Sequence, residues 1–235
     1  MEFIERENEI LTMLKSMGEA KLDFVVVGGY AVSALARHRF SVDCDVMIPK
    51  TKLEEFGNTL AKKGFRKLVE KAGFDEAYGG AFVSYKKLVG RLPVTFDLLV
   101  GSLICRATEA AWSYEYVNRH SVEAIVAGTQ ASVPCRIPER ELLITFKVHS
   151  ARRTDVRDLV MLIENAELEK IVSHLKRGNI EALAGQVKKV VSMLKDENLV
   201  DSLKGVFTLT ADVKKQIEKT RKVMDNILAH IGRTP

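Results

Sequence analysis

The sequence has 235 residues, of which 46% are hydrophobic and 29% charged, and its formal net charge is +5. This composition excludes a disordered or low-complexity chain, because such a chain lacks the apolar residues that a core requires. The mildly basic charge is compatible with a nucleotide or nucleic-acid partner without requiring one.

The N-terminal part of the chain alternates between helical and strand patterns. Apolar residues recur at helical spacing over 3–17, and the β-branched run before Gly28 is typical of a buried strand. Strict alternation over 42–48 indicates a second strand, and Thr51 with Glu54 forms a capping-box pattern. In chain order we predict a helix over 3–17, a strand over 22–27, a helix over 30–37, a strand over 42–48 and a helix over 52–63.

Strand patterns dominate the middle of the chain, and helical patterns dominate its end. We predict strands over 65–69, 81–87 and 93–100, a helix over 103–113, short strands over 121–126 and 132–136, and a helix over 139–151. From residue 154 onward, apolar residues recur only at helical spacing. We therefore expect an α/β domain over residues 1–153 and a helical domain over residues 154–235.

Membrane spans, signal peptides and disulfide frameworks have sequence patterns that differ from those of this chain. Its longest mostly apolar run, residues 24–36, is shorter than the ~20 residues of a spanning helix. The start of the sequence is acidic and amphipathic, unlike a signal peptide. Cys44, Cys105 and Cys135 are too far apart for a zinc site and odd in number for disulfides. We expect a cytoplasmic protein in a reducing compartment, without a membrane partner.

Residues 24–48 combine a strand, a glycine pair, a helix and a second strand that carries two acids. Gly28 and Gly29 allow a backbone to approach a phosphate, and the following helix presents unpaired N–H groups at its start. Asp43 and Asp45 lie two residues apart on a strand and therefore project from the same face. Adjacent carboxylates that face phosphates suit Mg²⁺ (or Mn²⁺). The alternatives are a tight turn without a ligand and two solvated acids on an edge strand.

A third acid stands in an apolar strand pattern further along the chain. Asp97 lies between Phe96 and Leu98, and burying a lone carboxylate is costly unless it is paired or binds a metal. If this strand lies beside the one that carries Asp43, three carboxylates converge. Two metal ions could then activate an attacking oxygen and stabilise a leaving pyrophosphate. The alternative is a structural ion pair between Asp97 and an arginine.

The ordered set of these residues resembles the nucleotidyltransferase fold of the DNA polymerase beta superfamily. The set consists of Gly28-Gly29, Arg39-x-Ser41-x-Asp43-x-Asp45 and Asp97. The resemblance implies an α/β (α+β) nucleotidyltransferase-like core with a mixed sheet, followed by a C-terminal helical part. It also implies that Asp43, Asp45 and Asp97 are catalytic and bind the metal. Gly28, Gly29, Arg39 and Ser41 would bind the nucleotide.

A second motif is similar to the region after the catalytic core in AbiEii-type toxin and related minimal nucleotidyltransferases. It reads Lys147-x4-Arg152-x2-Asp155-x2-Asp158, with Thr154 where those families usually have a second lysine. The resemblance gives Lys147 a role in binding the triphosphate. The alternative is that Lys147 is a solvated helix residue, and that Arg152, Asp155 and Asp158 form an acid cluster at a helix start, tied to the arginine.

The implied activity is metal-dependent transfer of a nucleoside monophosphate from a nucleoside triphosphate to a hydroxyl acceptor. The resemblance suggests an RNA acceptor such as tRNA, and a toxin with an antitoxin partner. One alternative is a nucleotidyltransferase that modifies antibiotics or proteins. Another is a non-catalytic module that binds nucleotide. The three carboxylates favour an enzyme over such a module.

Overall fold

The computed structural model describes residues 2–72, 78–209 and 212–232. The helices are α1 (Glu2–Glu19), α2 (Gly28–Leu35), α3 (Leu53–Lys62), α4 (Tyr114–Arg119), α5 (Arg140–Ser150), α6 (Arg153–Leu162), α7 (Leu168–Leu175), α8 (Ile180–Met193), α9 (Leu199–Phe207) and α10 (Lys214–Ile231). The strands are β1 (Val25–Val26), β2 (Asp43–Ile48), β3 (Arg66–Ala72), β4 (Ala81–Val89), β5 (Leu92–Val100), β6 (Ser102–Cys105), β7 (Ala110–Ser113), β8 (Ser121–Ala127) and β9 (Ser132–Pro138).

The chain is organised in two compact units. One comprises residues 1–103 and 111–139, and the other comprises residues 104–110 and 140–235. The sequence suggested a boundary after residue 153, whereas this division falls before α5. The difference is the α5 helix, which packs on α6, α7 and α8 and therefore groups with the helical part.

The first unit is built on a five-stranded sheet with the order β1-β2-β5-β4-β3. Strand β2 runs parallel to β5, and the other neighbouring strands are antiparallel. This is the mixed sheet expected for an α/β (α+β) core, and the fold class is confirmed. A separate hairpin pairs β8 with β9.

Alternating burial gives the sheet one apolar face at β5. Val94, Phe96, Leu98 and Val100 are buried, whereas Thr95 and Asp97 between them are partly exposed. The period of two is the expected result of strand geometry, because successive side chains point to opposite faces. Helix α1 packs against β5 and β9 within this unit, and its Ile10, Leu11 and Leu14 are buried. Helix α2 packs against β2 and β8.

The helix predicted over 103–113 is wrong. The segment forms β6 and β7 with a turn between them, and Glu109 in that turn has a φ of 55°. Its alanine and glutamate content favours a helix locally, but Ala110 and Trp112 are both fully buried, which is the alternation of a strand. Tertiary packing therefore outweighs the local propensity here.

The second unit is helical, as the sequence indicated. Its core includes Leu159 of α6, Ile171 of α7, Leu183 of α8 and Met224 of α10, all fully buried. Helix α10 packs on α8 and α6. Among the residues that the structure describes, no helix combines the length and the apolar character that a bilayer crossing requires.

Candidate active site

The three acids singled out in the sequence lie on neighbouring strands. In the parallel pair of β2 and β5, Asp45 is in register with Asp97, and Asp43 is in register with Thr95. Residues in register on adjacent strands share a face, so the three acids lie on one partly exposed face of the β2–β5 pair. The structure therefore places the three residues expected to bind a metal on the same face of neighbouring strands.

Two hydroxyl groups donate hydrogen bonds to the carboxylates of Asp97 and Asp43. Ser84 of β4 pairs with Asp97 in the antiparallel β4–β5 ladder, and its Oγ donates a hydrogen bond of 2.6 Å to Asp97 Oδ1. Thr95 Oγ1 donates a hydrogen bond to Asp43 Oδ1. The sequence marks neither residue, because they become neighbours of the acids only through strand pairing. Each bond uses one carboxylate oxygen and orients the side chain.

The environment makes Asp97 more basic than an ordinary aspartate. Burial raises the pKa of Asp97, the hydrogen bond from Ser84 lowers it in part, and the nearby negative charge of Asp43 raises it further, with a net increase. Partial burial disfavours the charged form because it removes water from the carboxylate. A carboxylate with a raised pKa is a better proton acceptor than an ordinary aspartate.

Gly28 leaves room for the carboxylate of Asp45. It begins α2 with a φ of 63°, and a Cβ atom at this position would lie 2.1 Å from Asp45 Oδ2. A side chain here would therefore meet both a backbone penalty and a direct clash with Asp45. The residue before it, Val27, offers no capping side chain, and its own N–H donates to the Asp45 carbonyl at 2.9 Å. The absence of a side chain at Gly28 thus lets the start of α2 lie against the carboxylate of Asp45.

Gly29 brings the same helix start close to Arg39 and Ser41. A Cβ atom on Gly29 would lie 2.9 Å from Ser41 Oγ and 3.1 Å from Arg39 Nη2. The first-turn N–H groups of a helix carry a partial positive charge, and a guanidinium adds a full one. Gly29, Arg39 and Ser41 therefore form a compact group suited to an anion, next to the carboxylates.

Lys147 belongs to the helical unit, where it is almost fully buried. Its Nζ is 3.0 Å from Asp155 Oδ1 and 2.8 Å from Asp158 Oδ2. Arg152 Nε also contacts Asp155, at 2.8 Å. Burial alone would raise the pKa of Asp155, but the charges of Lys147 and Arg152 outweigh it and the pKa is lowered. The second sequence motif thus forms a buried ion cluster, and the nucleotide-binding role of Lys147 stays a prediction.

The donor set of Asp43, Asp45 and Asp97 fits a hard divalent cation. All three are carboxylates, and hard cations such as Mg²⁺ prefer oxygen ligands in proteins. The hydrogen bonds from Ser84 and Thr95 engage Oδ1 of Asp97 and of Asp43. These bonds fix the orientation of both acids before any ligand arrives, so the residues present fit the expected Mg²⁺ or Mn²⁺.

Comparison with known proteins gives matches only among solved structures. No family model matches the chain, and no curated protein matches it. A protein of H. pylori described as a candidate nucleotidyltransferase matches with 16% identity and a TM-score of 0.51, over 98% of this chain and 96% of its own. JHP933 from Helicobacter pylori matches with 17% identity and a TM-score of 0.50, over 97% of this chain and 92% of its own. The first of these two matches shows that the chain has a nucleotidyltransferase-like fold.

Proposed function

We propose that this protein is a metal-dependent nucleotidyltransferase that uses a nucleoside triphosphate. The observation that carries the proposal is the register of Asp45 with Asp97, which places three carboxylates beside a glycine-rich helix start. This arrangement supplies ligands for a metal and donors for phosphate in one place. The nucleotidyltransferase-like fold supports the same function.

Each residue of the site has a separate task in this proposal. Asp43, Asp45 and Asp97 would hold Mg²⁺ (or Mn²⁺), which when bound neutralises charge on the triphosphate. The acceptor hydroxyl oxygen forms a bond to the α-phosphorus, and the bond to pyrophosphate breaks. Asp97, on the same face as Asp45, would help to remove the hydroxyl proton. The helix start and Arg39 would bind the triphosphate beside the three acids.

The acceptor that we propose is a hydroxyl group of RNA, such as a tRNA end. The sequence motifs that resemble AbiEii-type toxins support this choice, and they also suggest an antitoxin as a protein partner. A further support is the exposed basic face of α10, which carries Lys214, Lys215, Lys219 and Lys222. Exposed lysines neutralise backbone phosphates without sequence preference.

The test is incubation of the pure protein with each α-labelled triphosphate, Mg²⁺ and one acceptor at a time. The acceptors are total RNA, purified tRNA, hydroxyl-bearing antibiotics and a protein extract. Label on RNA supports the full proposal, and label on an antibiotic or a protein supports the transfer but rejects the RNA acceptor. Tight triphosphate binding without transfer to any acceptor would instead identify a nucleotide-binding module.

A further inference from the structure

We propose that Glu7 and His38 are positioning residues that hold the phosphate-binding loop in place, an inference that rests on the proposed function. The loop comprises residues 36–42, between α2 and β2, and carries Arg39 and Ser41. Glu7 Oε1 of α1 lies 2.5 Å from Nε2 of His38. The loop is thereby tied to a helix that the site itself does not include.

Glu7 is buried, and its carboxylate has a second partner besides His38. Its side chain is 1% exposed, and its second oxygen, Oε2, accepts a hydrogen bond of 2.5 Å from the backbone N–H of Thr129. Gly128 makes room for it, since a Cβ atom there would lie 2.7 Å from the Glu7 carboxylate. A buried carboxylate is stable only with such partners. Glu7 therefore joins α1, the β8–β9 turn and the phosphate-binding loop.

A second contact from α1 reinforces the first. The rings of Phe3 and Phe40 lie 6.3 Å apart, and the ring of His38 packs edge-on against Phe40 at 5.2 Å. Both phenylalanines are largely exposed, so burial alone contributes little to fixing the loop. The buried charge of Glu7 is the stronger restraint, because it loses a hydrogen-bond partner if His38 moves.

Hydrogen bonds also connect the loop to α2. Tyr30 donates a hydrogen bond of 3.2 Å to the Ser41 carbonyl, and Ser33 Oγ accepts one of 3.3 Å from the Arg39 N–H. These bonds are long, and the loop has no helical or strand ladder of its own between residues 36 and 42. The contact with Glu7 adds a restraint from α1 at His38, next to Arg39 in the chain.

The test compares Glu7→Gln with Glu9→Gln in the full chain. Glu9 is the matched control, since it is also an α1 glutamate with a side-chain partner, Lys87 of β4 at 2.6 Å, but does not touch the loop. We expect Glu7→Gln to weaken Mg²⁺-triphosphate binding about tenfold by calorimetry and to raise KM by a similar factor. The value of kcat should change less than twofold, because the three acids are untouched. Glu9→Gln should leave both constants near wild type.

Trypsin provides a readout that does not depend on activity. The loop contains Arg37 and Arg39, and we expect cleavage after them to be several-fold faster in Glu7→Gln than in the wild type or in Glu9→Gln. His38→Asn, at a half-exposed position, is the second variant if Glu7→Gln does not fold. It should show the same faster cleavage and weaker binding.

The two proposals fail in different ways. If the wild type binds triphosphate but Glu7→Gln and His38→Asn retain wild-type binding and cleavage rates, the positioning role is wrong and the function stands. If the wild type binds no triphosphate while the cleavage rates still differ, the loop contact is correct and the proposed function is wrong. A fall in kcat without a change in KM would also overturn the positioning role.

Discussion

Asp45 and Asp97 stand opposite each other on two parallel strands that are joined by α3, β3 and β4. The two carboxylates are therefore distant in the chain and adjacent in the sheet, and the Ser84 hydroxyl orients one of them. Neighbouring carboxylates repel each other unless a cation or a proton lies between them. In the proposed function, the divalent cation held by Asp43, Asp45 and Asp97 would offset this repulsion.

The first prediction concerns Asp97→Asn. Asparagine keeps an oxygen that can accept the bond from Ser84, so the melting temperature should stay within a few degrees of wild type. Loss of the proton acceptor should lower nucleotide transfer by roughly 10²–10⁴. Triphosphate binding should persist, since Asp43 and Asp45 remain. Melting temperature and transfer rate measured on one preparation check this. A lower melting temperature with full activity per folded molecule would mean a purely structural Asp97.

The second prediction concerns Gly28→Ala. The added Cβ would displace the Asp45 carboxylate, which lies 2.1 Å away, and the positive φ adds about 1 kcal/mol of backbone strain. We expect Mn²⁺ binding, measured by calorimetry, to fall at least tenfold. Gly18→Ala in α1 is the control, because nothing lies within 4 Å of that Cβ position. Retained Mn²⁺ affinity in Gly28→Ala would show that Asp45 is not a metal ligand.

The sequence predicts those site residues that are marked by their neighbours in the chain, but not those whose role depends on which strands pair. Strand alternation is local, so the shared face of Asp43 and Asp45 could be predicted, and an acid in an apolar strand marks Asp97. Ser84 and Thr95 carry no local signal, because their role depends on which strands pair. The same limit applies to residues 103–113, whose local composition favours a helix although the segment forms β6 and β7.

The glycines show a related difference between pattern and structure. The sequence suggested that both glycines allow a phosphate to approach the backbone. The structure gives each an additional reason within the protein, because Gly28 faces Asp45 and Gly29 faces Ser41 and Arg39. Such contacts involve residues of a later strand and loop, so spacing alone does not predict them.

The third prediction concerns Lys147→Met. This change would leave Asp155 and Asp158, both nearly fully buried, without their ammonium partner. Breaking a buried ion cluster on one side costs about 3–5 kcal/mol, so urea unfolding should show a loss of that order. If Lys147 binds no nucleotide, the triphosphate affinity of the folded protein stays at the wild-type value. Weaker binding in the folded variant would support the role implied by the resemblance.

A double variant separates the contributions within this cluster. Asp158→Asn removes one of the two buried charges that Lys147 balances. We expect Lys147→Met with Asp158→Asn to be more stable than Lys147→Met alone, because one uncompensated carboxylate is gone. Strict additivity of the two single changes in urea unfolding would mean that the two residues do not interact.

The fourth prediction concerns the pH dependence of the helical unit through His149. This histidine is fully buried, its Nε2 donates to the Leu175 carbonyl at 3.1 Å, and its Nδ1 accepts from Thr108 Oγ1 at 2.7 Å. Burial is the main cause that lowers the pKa of His149 to about 4, from 6.5. The unfolded chain therefore binds more protons between these pH values, and stability falls as the pH falls. One pKa unit corresponds to about 1.4 kcal/mol, so this residue should contribute a loss of about 2 kcal/mol between pH 7.5 and pH 5.

Urea unfolding at both pH values checks this, with His149→Gln expected to lack that part of the loss. An identical pH dependence in His149→Gln and the wild type would mean that His149 does not titrate differently on unfolding.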